Sequence, residues 1–124
     1  MTGMHINLAG RSRLISMITA ALLIISLFIS APSTGGMLVP PWDKLGHFAF
    51  YGTIAFLLAV GLGHSRLFLA LLLTCSIGIA DEAYQAILPG RQSDVMDLLT
   101  DVAAAMIVIL LVRLTTASTR QKAS

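Results

Sequence analysis

The chain alternates long apolar runs with short polar interruptions. Apolar residues extend from Leu14 to Ala31, from Leu45 to about Gly63, from Leu67 to about Leu88 and from Val95 to Leu114. Each run is close to the roughly 17–25 residues that a helix needs to cross the hydrocarbon core of a bilayer. Inside lipid a chain must satisfy its own backbone hydrogen bonds, and a helix does so within one segment. The pattern predicts an all-α, polytopic membrane protein, a four-helix transmembrane bundle, with residues 1–124 forming one domain. The first three runs are uncharged at their centres. The fourth carries Asp97 and Asp101 in its first two turns, then an uncharged stretch from Val102 to Val112. The first run also has the basic flank of a secretory signal, Arg11 and Arg13, with a cut near Ala31 or Ser33. Its length of eighteen residues exceeds the usual signal core of roughly 7–15, so a retained span is the favoured reading.

Composition supports the membrane class. The 124 residues are 56% hydrophobic and 11% charged, with a mean hydropathy of +0.87, too apolar for an ordinary soluble domain of this size. The net charge of +2 comes from basic residues scattered singly. No basic stripe with aromatics is present, so no nucleic-acid partner is expected. The single cysteine, Cys75, sits in an apolar run and excludes an intramolecular disulfide.

The basic residues orient the spans. Arg11, Arg13, Arg66, Arg113, Arg120 and Lys122 fall on one side, and Lys44 and Arg91 on the other. The positive-inside rule then puts both termini and the turn 63–66 in the cytoplasm, with the loops 32–43 and 89–94 facing outward. Trp42 sits where an interfacial aromatic anchor would.

All six acidic residues lie in two clusters. One is Asp43-Lys44-Leu45-Gly46-His47, with Tyr51 one turn on. The other runs from Asp81-Glu82 through Gln85, Pro89-Gly90-Arg91 and Ser93-Asp94 to Asp97 and Asp101. The predicted topology places both at outward helix ends. Helical spacing turns them inward: Lys44, His47 and Tyr51 share a face continued by Ala55, Ala59 and Gly63, while Thr74, Gly78, Glu82 and Gln85 share another. A third stripe holds Asp94, Asp97, Asp101 and Ala104 or Ala105. Small residues at intervals of four let membrane helices approach closely. Carboxylates facing lipid would be costly, so burying these stripes against one another is the economical packing.

Several of these residues have plain structural readings. Asp43 and Asp94, or Ser93, suit helix N-caps, and Asp97 would gain from the helix dipole. Lys44 and Arg91 suit snorkelling to lipid phosphates. Pro89-Gly90 is turn chemistry, Tyr51 and Tyr84 suit interfacial anchors, and His5 and His64 suit solvated positions. Capping does not account for Glu82, near the C-terminal end of its helix, or for Asp101, roughly 10 Å along the axis from Asp94 at about 1.5 Å per residue. Those two need partners, with Lys44, His47, Arg91 and Gln85 available.

The arrangement resembles the VanZ-like family of small bacterial membrane proteins. The likeness lies in Asp43-Lys44-x-x-His47-Phe48 with Tyr51, then Glu82-x-x-Gln85, Pro89-Gly90-Arg91 and Asp97, over about residues 40–112. The chain departs from the family's habit in carrying Asp101 where asparagine is frequent, and Ala104 and Ala105 where glycine is. The resemblance implies a multi-pass protein of the bacterial cytoplasmic membrane, associated with the cell envelope and with glycopeptide antibiotic resistance. It implies no reaction.

The expected binding set is Lys44, His47, Tyr51, Glu82, Gln85, Arg91, Asp97 and Asp101. The first use of it is to bind an anionic lipid or a lipid-linked envelope precursor, with Lys44 and Arg91 on phosphate. The second is catalysis on a lipid-linked phosphate or sugar, with His47, Glu82 and Asp97 as the acid–base candidates. The third is a purely structural ion-paired cluster. Several carboxylates with one histidine could also hold a divalent ion for phosphoryl or glycosyl transfer, but no ligand motif of known spacing and no cofactor motif is visible, so no metal and no cofactor are expected.

Overall fold

A computed structural model describes residues 2–123, with side chains from residue 8 onward, so the reading of His5 lies outside the described side chains. Four long helices are present: α1 (Thr2–Ser30), α2 (Trp42–Leu62), α3 (Leu67–Ile87) and α4 (Val95–Ala123), with one 3-10 turn, His64–Arg66, between α2 and α3. All four are long and apolar enough to cross a membrane, over Leu8–Ser30, Trp42–Leu62, His64–Ile87 and Val95–Ala123. The chain is therefore a multi-pass four-helix membrane bundle. α1 and α4 extend past the apolar runs at the chain ends. A helix continues wherever its i to i−4 hydrogen bonds do, and hydropathy does not mark that limit.

α2 is the central helix. It packs against α1, α3 and α4, and α3 also packs against α4. The core forms from Ala20 of α1, Ile54, Ala55, Leu58 and Ala59 of α2, Leu67 and Ala70 of α3, and Ala105 and Ile109 of α4. Small side chains make up much of it, as the spacing of alanines and glycines predicts. The bulky apolar residues Ile18, Leu22, Phe56, Phe68, Leu110 and Leu111 point outward. Lipid tails are as apolar as these side chains, so a spanning helix loses nothing by exposing them.

α1 and α2 are joined by polar contacts at the end of the bundle opposite the acidic residues. Arg13 donates from Nε to the Gly61 carbonyl at 3.1 Å and from Nη2 to the Leu62 carbonyl at 2.7 Å. The last carbonyls of a helix have no partner within it, and a guanidinium there meets both that need and the negative end of the dipole. Ser16 Oγ donates to the Leu57 carbonyl at 2.9 Å. Gly63 ends α2 at φ +89°, a backbone conformation that L side chains rarely adopt and glycine adopts freely.

Candidate functional site

The opposite end of the bundle gathers the start of α2, the end of α3 and the start of α4. Lys44 lies at its centre. Its Nζ donates to Asp94 Oδ2 at 2.8 Å and to Asp97 Oδ1, and stands 3.5 Å from Asp43 Oδ2. The ammonium is thus held among carboxylates as their counter-ion, where the sequence had suggested snorkelling to lipid phosphate. Asp94 is the N-cap of α4, its Oδ1 accepting the Met96 amide proton at 2.8 Å. The Lys44 ammonium, then the Met96 N–H, hold the Asp94 carboxyl below the ordinary aspartate range. Asp43 does not cap α2. The helix already begins at Trp42 with no side-chain cap, and Asp43 Oδ1 accepts the amide of its neighbour Lys44 at 2.8 Å.

His47 continues the network. Its Nδ1 is 2.9 Å from Asp101 Oδ1, and its Nε2 is 3.8 Å from Asp97 Oδ2. Asp97 therefore faces Lys44 with one oxygen and His47 with the other. Asp101, two turns into α4, reaches its partner because Gly78 of α3 leaves room: a Cβ on Gly78 would lie 3.2 Å from Asp101 Oδ2. The expectation that Asp101 needs a cationic or hydrogen-bonding partner is met by His47.

Glu82 is met differently from expectation. Its Oε2 accepts the Ser93 hydroxyl at 3.1 Å and the Asp94 amide at 2.8 Å, so its fixed partners are backbone and hydroxyl donors. It acts as a cap supplied from α3 to the entrance of α4, across the turn between them. A search for caps within each helix's own sequence does not reveal a cap lent by a neighbour.

Asp81 is the residue that the expected binding set omitted. It is buried and accepts two hydrogen bonds at Oδ2, from the Tyr51 hydroxyl at 3.0 Å and from Gln85 Nε2 at 3.0 Å. Its spacing of four from Gln85 was the available signal. Tyr51 is 1% exposed and stacks on His47 with ring centroids 5.9 Å apart, so it is an internal hydrogen-bond donor and not an interfacial anchor. Tyr84 pairs instead with Phe28 at 5.7 Å. His64, expected to be solvated, is half-buried, and its Nδ1 has no partner among the described residues.

Arg91 stands apart from this network. Its Nη1 reaches Thr34 Oγ1 at 3.4 Å, its stem packs beside Gly35, and no carboxylate pairs with it among the described residues. It lines a cleft of about 730 Å³ that also exposes Asp43, His47, Gln85, Asp97 and the loop residues Met37 and Leu38. A second groove of about 520 Å³, between α2 and α4, is walled by residues such as Phe48, Phe56, Val108 and Leu111 and carries no charge. Within the polar end, donor atoms of His47, Glu82 and Asp97 lie within 4.8 Å of one another, close enough to share one metal ion. The three come from three helices, so no linear motif could have shown them. All eight residues of the expected binding set thus fall at one end of the bundle.

Fold and site define a small multi-pass membrane protein with a buried carboxylate network beneath a charged cleft. The chain belongs to the VanZ/LLP1 family, whose model matches residues 4–116. That match takes in α1 and most of α4, beyond the segment in which the resemblance was legible. No curated protein and no solved structure matches the chain.

Proposed function

We propose that the cleft binds the phosphate-bearing headgroup of an anionic lipid or lipid-linked envelope precursor. It would do so on the outer face of the bacterial cytoplasmic membrane, with both chain termini in the cytoplasm. The observation that carries the reading is Arg91: a guanidinium without a carboxylate partner among the described residues, lining a cleft that also presents the hydrogen-bonding groups of Asp43, His47, Gln85 and Asp97. A guanidinium can meet a phosphate through two parallel N–H donors. Asp43, Asp97 and Gln85 would meet sugar hydroxyls or peptide amines, and Met37 and Leu38 offer apolar surface at the same opening. Lys44 contributes by holding the acids in place. Retaining an envelope precursor in this way would suit a role in the envelope or in glycopeptide response.

The reading is tested with a photoactivatable polyprenyl phosphate and the full chain in nanodiscs. Saturable labelling of the native protein is expected, with at least a tenfold loss in Arg91→Ala and partial recovery in Arg91→Lys. Labelling of Arg91→Ala at the native level, in equal amounts of protein, would overturn it.

A second reading is favoured by the 2.9 Å contact between His47 and Asp101. A carboxylate that orients an imidazole prepares it for proton transfer. His47, with Glu82 and Asp97, would then act on a lipid-linked phosphate or sugar. Product formed from a polyprenyl diphosphate should disappear in both His47→Ala and Glu82→Ala. Turnover persisting in both variants excludes this site as its source.

A further inference from the structure

We infer that His47, Glu82 and Asp97 together hold one divalent cation, of the Mn2+ or Zn2+ class. The inference does not depend on headgroup binding. Three observations meet at this point. First, the donor atoms lie within 4.8 Å of one another. Two ligands at about 2.0–2.4 Å from a shared ion can be no farther apart than about 4–4.8 Å.

Second, Glu82 is 5% exposed, and its Oε1 has no hydrogen-bond partner among the described residues. Its other oxygen is fixed by Ser93 and the Asp94 amide, which anchors the carboxylate. A buried carboxylate oxygen without a donor carries a desolvation cost that a metal ion removes.

Third, His47 is prepared as a ligand. Its Nδ1 faces Asp101 at 2.9 Å, which leaves Nε2 turned toward Asp97. A carboxylate on the far nitrogen of a metal-bound histidine is the usual supporting arrangement. It fixes the tautomer and raises the basicity of the ligating nitrogen.

Charge balance agrees. Asp81, Glu82, Asp97 and Asp101 are all buried. Among the described residues their ion pairs come only from Lys44 and His47. With His47 neutral, as a ligand must be, Lys44 is the one cation paired with them among the described residues and is shared with Asp43 and Asp94, so a divalent ion would offset part of a negative excess. One imidazole nitrogen and two carboxylate oxygens form a mixed donor set, which suits Mn2+ and Zn2+ better than the softer or purely oxygen-seeking ions. His47 and Asp97 line the cleft, so the ion could be reached from it.

The test uses the full chain in detergent, stripped with chelator and titrated with Mn2+ alone. Loss of the free-ion electron paramagnetic resonance signal measures binding. One saturable equivalent per chain is expected. Glu82→Gln and Asp97→Asn should each weaken it at least tenfold. Asp101→Asn, which touches only the supporting position, should weaken it about 10–100-fold. Far-ultraviolet circular dichroism shows which variants are folded. The decisive arm needs no variant: absence of saturable binding of Mn2+ and of Zn2+ to the native chain overturns the inference. Binding that is unchanged in folded Glu82→Gln also overturns it, because the ion then lies elsewhere.

Discussion

Replacing Lys44 with methionine should lower the stability of the folded bundle by about 2–3 kcal/mol. Among the described residues, Lys44 Nζ is the one permanent positive charge paired with Asp94 and Asp97. Removing one partner of a fully buried pair costs roughly 3–5 kcal/mol, because the remaining charge is left uncompensated. Here the side chain of Lys44 is 29% exposed while that of Asp97 is 11% exposed, so partial solvation reduces the loss. The residue that suffers is Asp97, because Asp94 keeps its bond to the Met96 amide. Adding Asp97→Asn to the Lys44→Met chain should therefore recover part of the loss. Unfolding in mixed micelles, measured for both single variants and the double, gives the coupling. Equal stability of Lys44→Met and the native chain would show that the contact contributes nothing.

Gly78→Leu should abolish recovery of a monodisperse folded protein, and Gly78→Ala should cost about 1–3 kcal/mol, the usual range for overpacking a filled core. Gly78 lies on the buried face of α3. A Cβ there would stand 3.2 Å from Asp101 Oδ2, 3.4 Å from Asp101 Cβ and 3.5 Å from Leu98 Cδ1. One added methyl would crowd a buried carboxylate oxygen that has no hydrogen-bond partner among the described residues. The Asp101 carboxylate must then give by a few tenths of an ångström, which disturbs its contact with His47. Size-exclusion profiles and thermal unfolding of detergent-extracted protein read both variants. A native profile for Gly78→Leu would mean that α3 and α4 are not held at this separation.

Hydropathy was enough to find all four spans, because the cost of carrying polar groups through lipid leaves long unbroken apolar runs. The 3.6-residue period was enough to find the buried faces: Tyr51, Ala55 and Ala59 on α2, Thr74, Gly78, Glu82 and Gln85 on α3, and Asp97, Asp101, Ala104 and Ala105 on α4 are all buried. Asp94 was recognisable as a cap, since an N-cap acts on amides only two residues ahead.

The partners of the inward-facing groups were not legible. Asp101 was assigned a need for a partner, but its choice of His47 depends on the depth at which α4 stands beside α2. Glu82 was expected to need a partner among Lys44, His47, Arg91 and Gln85 and instead caps the next helix, which depends on how the turn from Leu88 to Asp94 brings that helix back. Tyr51 donates to Asp81 across thirty positions of sequence, and Arg13 closes the end of α2 from nearly fifty residues away. A helix fixes which of its own residues share a face, because that is set by backbone geometry within a few turns. The rotation and axial offset between helices are set by how their surfaces pack together. The sequence by itself determined a four-span bundle and the gathering of its six acidic residues at one end. Only the tertiary structure decided which of those groups meet, because each meeting spans two helices whose relative placement no local pattern encodes.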